Sequence, residues 1–224
     1  MLVLVLDVSP LAWADRDLKR TAHDKERAAS GKRSVGPAIL EEVLESVQVF
    51  ASAYSSLERD AGLLIVAVAD GETALVYPRK NHLQEWLRHP ESYVPETRRI
   101  KEDLTTGVAE IIDRAASKVS SDATGGQAAM ASAFSTALCI INRFLDAAKT
   151  GVSALQPEHY ITRNDDEGVI ALIGNIKSNK TNKQASAWSP RILLIQASED
   201  RSRDYNAFMN CAFAAVKNQI VVDG

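Results

Sequence analysis

The sequence predicts a three-layer α/β domain: a mainly parallel sheet with one antiparallel strand and helices on both faces. Three observations carry the prediction. First, apolar β-favouring runs without alternation stand at Leu2 to Leu6, Gly62 to Ala69 and Arg191 to Gln196. Strands buried on both faces by covering helices have this pattern. Second, segments with apolar residues at helical spacing lie between these runs, as right-handed crossovers between parallel strands require. Third, Asp70-Gly71 is a tight-turn dipeptide, so Thr73 to Tyr77 returns antiparallel beside the second run.

Taken in order, the first strand runs straight into Asp7. Residues 15 to 33 are charged and small, and read as an irregular excursion. Gly36-Pro37 then opens a helix whose stripe is Leu40, Val43, Leu44, Val47, Phe50, Ala51 and Tyr54. After the hairpin, Pro78 ends the antiparallel strand. Leu83, Trp86 and Leu87 suggest a short helix, and a longer one follows Pro95 with Ile100, Leu104, Val108, Ile111, Ile112, Ala115 and Val119 on one face. Gly125-Gly126 separates it from a helix over 127–149. Residues 150 to 189 are too long for an ordinary connection and read as a surface insertion, with a short strand suggested at Gly168 to Ile173. The RILLIQ strand follows. Tyr205, Phe208, Met209, Ala212, Phe213 and Val216 mark a last amphipathic helix, and Ile220 to Val222 begins a further strand. No internal repeat is visible.

Composition agrees with one domain over 1–224, with insertion-like regions at 15–37 and 156–188. The 46% hydrophobic content argues against wholesale disorder. Twenty-six basic against 29 acidic residues give no dominant nucleic-acid-binding surface. Cys139 and Cys211 are too few for a disulfide framework or a four-cysteine zinc site, and a reducing compartment is the natural setting. The apolar start is six residues long and runs straight into Asp7, so it reads as a strand and not as a signal or a membrane span.

In sheets of this kind function sits at the carboxyl ends of the strands, which directs attention to the loop after the first strand. Asp7-Val8-Ser9 closes that strand. A haloacid-dehalogenase phosphatase needs a second Asp as general acid where Ser9 stands. Residues 7 to 13 contain no glycine for a dinucleotide turn, and Pro10 removes one amide donor. Glu26 occupies the first glycine position of a phosphate loop ending at Gly31-Lys32. A plain alternative is that Asp7 and Ser9 cap the following segment. The remaining candidate is a metal-ion-dependent adhesion site, in which Asp-x-Ser-x-Ser joins a Thr and an Asp from other loops around Mg²⁺. Asp7 and Ser9 fit its first two positions. Leu11, Gln127-Ala128-Ala129 and Ala197 stand at the others, with Glu199 and Asp200 displaced. The expectation is a vestigial, metal-free site at Asp7 and Ser9.

Element order and motif positions together resemble the von Willebrand factor A fold. The stretches LVLVLDVSPLAW (Leu2 to Trp13), LVYP (Leu75 to Pro78), ALCIINR (Ala137 to Arg143), RILLIQASED (Arg191 to Asp200) and YNAFMNCAFAAVK (Tyr205 to Lys217) resemble the family of smaller von Willebrand A subunits of general transcription factor IIH. The resemblance implies a nuclear, non-catalytic scaffold in transcription initiation and nucleotide excision repair. Its implied partners are the zinc-binding domain of the larger von Willebrand A subunit and the other core subunits, with no membrane and no strong direct nucleic-acid binding. Family members continue into a zinc-binding module. The resemblance implies that this module, with a final strand and helix, lies beyond Gly224, so no cofactor is expected within the chain. The competing reading is a metal-dependent phosphotransfer or hydrolase domain using Asp7.

The helix over 127–149 carries apolar residues over an arc of roughly 200°, about twice an ordinary core stripe. Met130, Phe134, Ala137, Ile141 and Leu145 face the sheet. Ala133, Ile140, Phe144 and Ala147 form a flank, which either packs under a neighbouring helix or binds a partner. Trp13 is either a lid over the strand-end loop or an exposed anchor. Trp86 and Trp188 read as packing residues. His23, His82, His89 and His159 lack ligand spacing, and Lys177, Lys180 and Lys183 read as a solvated loop.

Overall fold

The structure is a computed structural model and describes residues 1–30, 36–57, 62–79, 97–119, 129–150, 189–199 and 202–224. Side chains at 28–30, 97, 118–119 and 143–150 are also outside the described set. The strands are β1 (Leu2–Asp7), β2 (Leu63–Ala69), β3 (Glu72–Tyr77), β4 (Arg191–Ile195) and β5 (Val221–Asp223). The helices are α1 (Pro10–Ser30), α2 (Leu40–Leu57), α3 (Thr97–Val119), α4 (Met130–Thr150) and α5 (Tyr205–Lys217). The sheet order is β3-β2-β1-β4-β5, parallel except for the β2–β3 pair. This is the mostly parallel α/β sheet that the apolar runs predicted.

Strand β1 lies in the middle, paired with β2 on one side and β4 on the other. Because successive side chains point to opposite faces, its apolar run feeds two separate cores. Val3 and Val5 join Leu64, Val66, Val68, Phe134, Ala137 and Ile141 beneath α4 and α5. Leu2, Leu4 and Leu6 join Ile65, Ala67, Val47, Ile100, Leu104 and Ile111 beneath α2 and α3. Each buried Leu or Val contributes about 1.5–3 kcal/mol, so the unalternated pattern is the signature of a strand with no wet face.

The β2–β3 hairpin turns at Asp70 and Gly71, with φ of 45° and 86°. Positive φ at both central residues is the type I′ geometry that a two-residue hairpin favours, and Asp-Gly accepts it at low cost. Helix α3 uses the expected stripe, with Ile100, Leu104, Val108, Ile111 and Ala115 buried. It also approaches β3 closely: a Cβ added at Gly107 would stand 2.7 Å from Val76 Cβ and 3.1 Å from its Cα. Asp103 is buried on the same helix and accepts the Arg79 N–H at 2.9 Å, tying α3 to the end of β3.

Several expectations need correction. Residues 15 to 30 are helical, as part of α1. The segment lacks an apolar stripe, but Asp15–Lys19 and Arg20–Asp24 ion pairs at i,i+4 and a run of good helix formers without Gly or Pro sustain it. Helix α2 begins at Leu40, not at Pro37. There Glu42 reaches back to the Ile39 N–H at 3.4 Å, one half of a capping box. Phe50 leaves the α2 stripe and is exposed, its ring stacked on Tyr54 at 6.3 Å. The suggested helix at 83–87, the strand at 168–173, Gly125-Gly126, Gln127, Ala128 and the 156–188 insertion lie outside the described residues.

The Gly107–Val76 contact makes a stability prediction. Gly107→Ala forces the helix and strand apart, because the atoms met are Val76 Cβ, Cγ1 and Cα, which are fixed close to the strand backbone and are not a flexible side-chain tip. Urea unfolding is expected to show a loss of about 1–3 kcal/mol, against a small gain for an alanine placed on the exposed face of α3.

Candidate functional site

Asp7 and Ser9 sit where the sequence placed them, at the carboxyl end of the central strand, and both are 0% exposed. Val8 N–H still bonds to Val68 C=O at 2.8 Å, so β1 is held to β2 as far as the start of the loop. Pro10 then opens α1, and the Trp13 N–H closes its first turn on Ser9 C=O at 3.2 Å.

Every available face of the Asp7 carboxylate is taken by the protein. Oδ1 accepts the Ser9 N–H at 2.9 Å, a local Asx turn. Oδ2 accepts the Ala197 N–H at 3.1 Å, the Ser198 N–H at 2.7 Å and the Ser198 hydroxyl. Strands β1 and β4 are therefore joined beyond the last rung of their ladder, where Leu6 faces Ile195. Hydrogen bonds to a buried carboxylate are the strong kind, and here one side chain replaces a missing stretch of sheet.

Trp13 closes the same end of the sheet. It is buried, its indole N–H donates to Asp7 C=O at 2.8 Å, and Arg16 lies over the ring at 5.7 Å. Arg16 Nε also donates to Ala197 C=O at 3.4 Å, and Gln196 Nε2 to Ser198 C=O at 2.9 Å. Of the two readings of Trp13, the lid is what the structure has. Ser198, the residue that completes this arrangement, was missed in the sequence, where attention fell on Ala197 and Glu199. A small hydroxyl residue just past a buried strand end was the available signal.

This donor set does not fit a Mg²⁺ ion. Such an ion demands near-octahedral oxygen ligands, whereas both Asp7 oxygens already accept hydrogen bonds and Leu11, at the third ligand position, is exposed. Ser9 Oγ is buried and has no hydrogen-bond partner among the described residues, so it does not cap α1 through its side chain. No group of three His, Cys, Asp or Glu side chains is gathered for a metal among the described residues. None of the described helices is long and apolar enough to cross a membrane. Lys177, Lys180 and Lys183 lie outside the described residues.

The α4 flank is corrected in part. Ala133 is 0% and Ile140 4% exposed, and both belong to the core beneath α4 and α5. Phe208 of α5 packs on Phe134 with ring centroids 5.3 Å apart, and the Cys211 thiol reaches Ala131 C=O at 3.7 Å. A neighbouring helix thus covers this half of the flank, so Ala133 and Ile140 offer no open surface. The side chains of Phe144 and Ala147 lie outside the described residues. The last helix also turns differently from its expected stripe. Phe208, Cys211, Ala212 and Ala215 pack inward, while Tyr205, Phe213 and Val216 are exposed.

Two comparisons bear on this arrangement. The family model described as transcription factor Tfb4 matches residues 1–224. A solved structure described as the crystal structure of the TFIIH p34 N-terminal domain aligns with a TM-score of 0.55 at 18% identity, covering 99% of this chain and 77% of that one. At that identity the likeness speaks for the fold, and it agrees with a von Willebrand A type sheet.

Two measurements follow. Asp7→Ala leaves the Ala197, Ser198 and Ser9 amides without their acceptor and is expected to cost about 3 kcal/mol in chemical unfolding, against about 1 kcal/mol for Ser198→Ala. Burial pushes the Cys211 thiol above its ordinary pKa, whereas Cys139 is exposed. A raised pKa means less thiolate at a given pH, so a thiol reagent near neutral pH is expected to label Cys139 first, with Cys211 catching up as pH rises.

Proposed function

The chain belongs to the transcription factor Tfb4 family, and on that premise we propose that it is a non-catalytic scaffold domain of the general transcription factor IIH core. Its work is in transcription initiation and nucleotide excision repair, in the nucleus. Residues 1–224 act as one von Willebrand A type domain. Its main partner is the zinc-binding domain of the larger von Willebrand A subunit, and the other core subunits assemble around that pair. Zinc belongs to a module outside these residues.

The observation that supports this reading best is the family match over residues 1–224. The chemistry at the strand end points the same way. A hydrolase or phosphotransferase built on Asp7 needs a carboxylate oxygen open to metal or substrate. Here four donors from Ser9, Ala197 and Ser198 engage that carboxylate, which makes it a joint between strands. Phe144 and Ala147, on the second half of α4, are the part of the chain we assign to the partner surface.

The test is capture of the purified, zinc-loaded domain of the larger subunit on the immobilised chain. Retention at micromolar concentration is expected, and no retention would sink the proposal. Phe144→Glu is expected to abolish retention without lowering the melting temperature; general unfolding instead would remove Phe144 from the surface. Adding Mg²⁺ or Mn²⁺ is expected to leave the melting temperature unchanged. Stabilisation by several degrees would favour the metal-dependent reading.

A further inference from the structure

Helix α1 is attached to the domain in two different ways along its length. At its start Trp13 is buried, and Arg16 lies over the indole and donates to Ala197 C=O. From Asp17 to Arg27 no side chain is buried, and Leu18 is 71% exposed. In that stretch the half-buried residues are Arg20 and His23. With Arg16 they stand at i, i+4 and i+7, which is one face of a helix. The face that α1 turns to the domain beyond Trp13 is therefore polar, where an ordinary surface helix presents an apolar stripe.

Arg20 is the centre of that face. Its Nη1 donates to Pro37 C=O at 2.9 Å, and Nη1 and Nη2 each meet one Glu42 carboxylate oxygen at 3.2 Å. Such a bidentate pair fixes orientation as well as distance. The Nε atom lies 3.4 Å from Asp24, one turn further along α1. Both remote partners belong to the start of α2: Pro37 precedes it, and Glu42 in its first turn also accepts the Ile39 N–H. Gly36 makes room for the approach, since a Cβ there would stand 2.5 Å from Arg20 Cδ and 3.2 Å from His23 Nδ1. The Arg20 side chain is 25% and that of Glu42 47% exposed, so salt reaches the pair.

We propose that residues 17–27 form an ionic strap, latched to the start of α2 by Arg20, which opens as a unit while the sheet stays folded. An isolated helix of this length is marginal in water even with good helix formers. Once Arg20 leaves its acceptors, the stretch loses its helical hydrogen bonds as one local unit. Trp13 and Arg16 stop the opening short of the strand end, so the Asp7 tie is not disturbed. A lone surface ion pair contributes little. This pair differs because it is bidentate, shares a backbone carbonyl and acts where no buried side chain supports the helix. Ionic strength thereby controls access to Glu42 and the start of α2. The inference goes beyond the scaffold role and does not depend on it.

Hydrogen exchange of the 224-residue chain, followed over 17–27 and over β1, tests this. Raising NaCl from about 0.1 to 1 M shortens the screening length from ~10 to ~3 Å. Exchange over 17–27 is then expected to quicken about three- to tenfold, with β1 unchanged. Arg20→Met keeps the stem and the helix propensity. It is expected to quicken exchange there about tenfold at 0.1 M, to remove most of the salt response and to leave the melting temperature unchanged. Glu42→Gln carries the same expectation, and the double variant is no faster than either single one if the two residues act as one latch. Exchange over 17–27 that is as slow as in β1, or indifferent to salt and to Arg20→Met, overturns the proposal. So do additive effects of the two variants, or an Arg20→Met effect that spreads to β1, which would make Arg20 a support of the whole fold.

Discussion

Everything in this molecule is arranged around a strand with no side facing water. β1 is bonded along both edges and buried on both faces, so two strands and two helical layers must be present before its burial is complete. That constraint sets the three layers. Odd-numbered side chains need α4 and α5 above them, even-numbered ones need α2 and α3 below, and β2 and β4 must flank the strand. Any substitution that makes one face of β1 polar therefore damages a whole core, not a local contact.

The same strand explains the behaviour of its last residue. A carboxylate at the end of a doubly buried strand has lost its water and must be satisfied by the protein, by a metal or by a proton. Von Willebrand A type sites use a metal for this. In this chain the amides and hydroxyl following β4 take that place, drawn in by Asp7 and fastened under Trp13. The carboxylate is thereby a cross-tie between β1 and the segment after β4.

The strands were legible because burial on both faces leaves a pattern that polar substitution would break, and α3 because Ile100, Leu104, Val108, Ile111 and Ala115 keep helical spacing. The Asp70-Gly71 turn was legible because few dipeptides accept two positive φ angles. Helix α1 was not, since charged pairs along its surface hold it, and apolar periodicity is blind to those. The stripe of α5 misled for a different reason. Apart from Phe208 its inward face is made of small residues, Ala212, Ala215 and Cys211, while Tyr205, Phe213 and Val216 turn outward. At the strand end, the sequence located Asp7 and Ser9 but could not show what the carboxylate binds. Its partner Ser198 lies just past a strand distant in sequence, and only the sheet order brings the two together.

That sheet order has a consequence for how the chain comes into being. β1 is made long before β4, yet Leu2 pairs with Arg191 and Leu6 with Ile195. β2 and β3 can close one edge of β1 early. Its other edge, with its row of unpaired amides and its apolar side chains, waits until β4 has been made. Non-local pairing of this kind is slow and leaves aggregation-prone surface exposed meanwhile. The central strand that most stabilises the finished domain is thus also what makes the nascent one most dependent on being shielded, and the Asp7 tie cannot form before Ala197 and Ser198 are made.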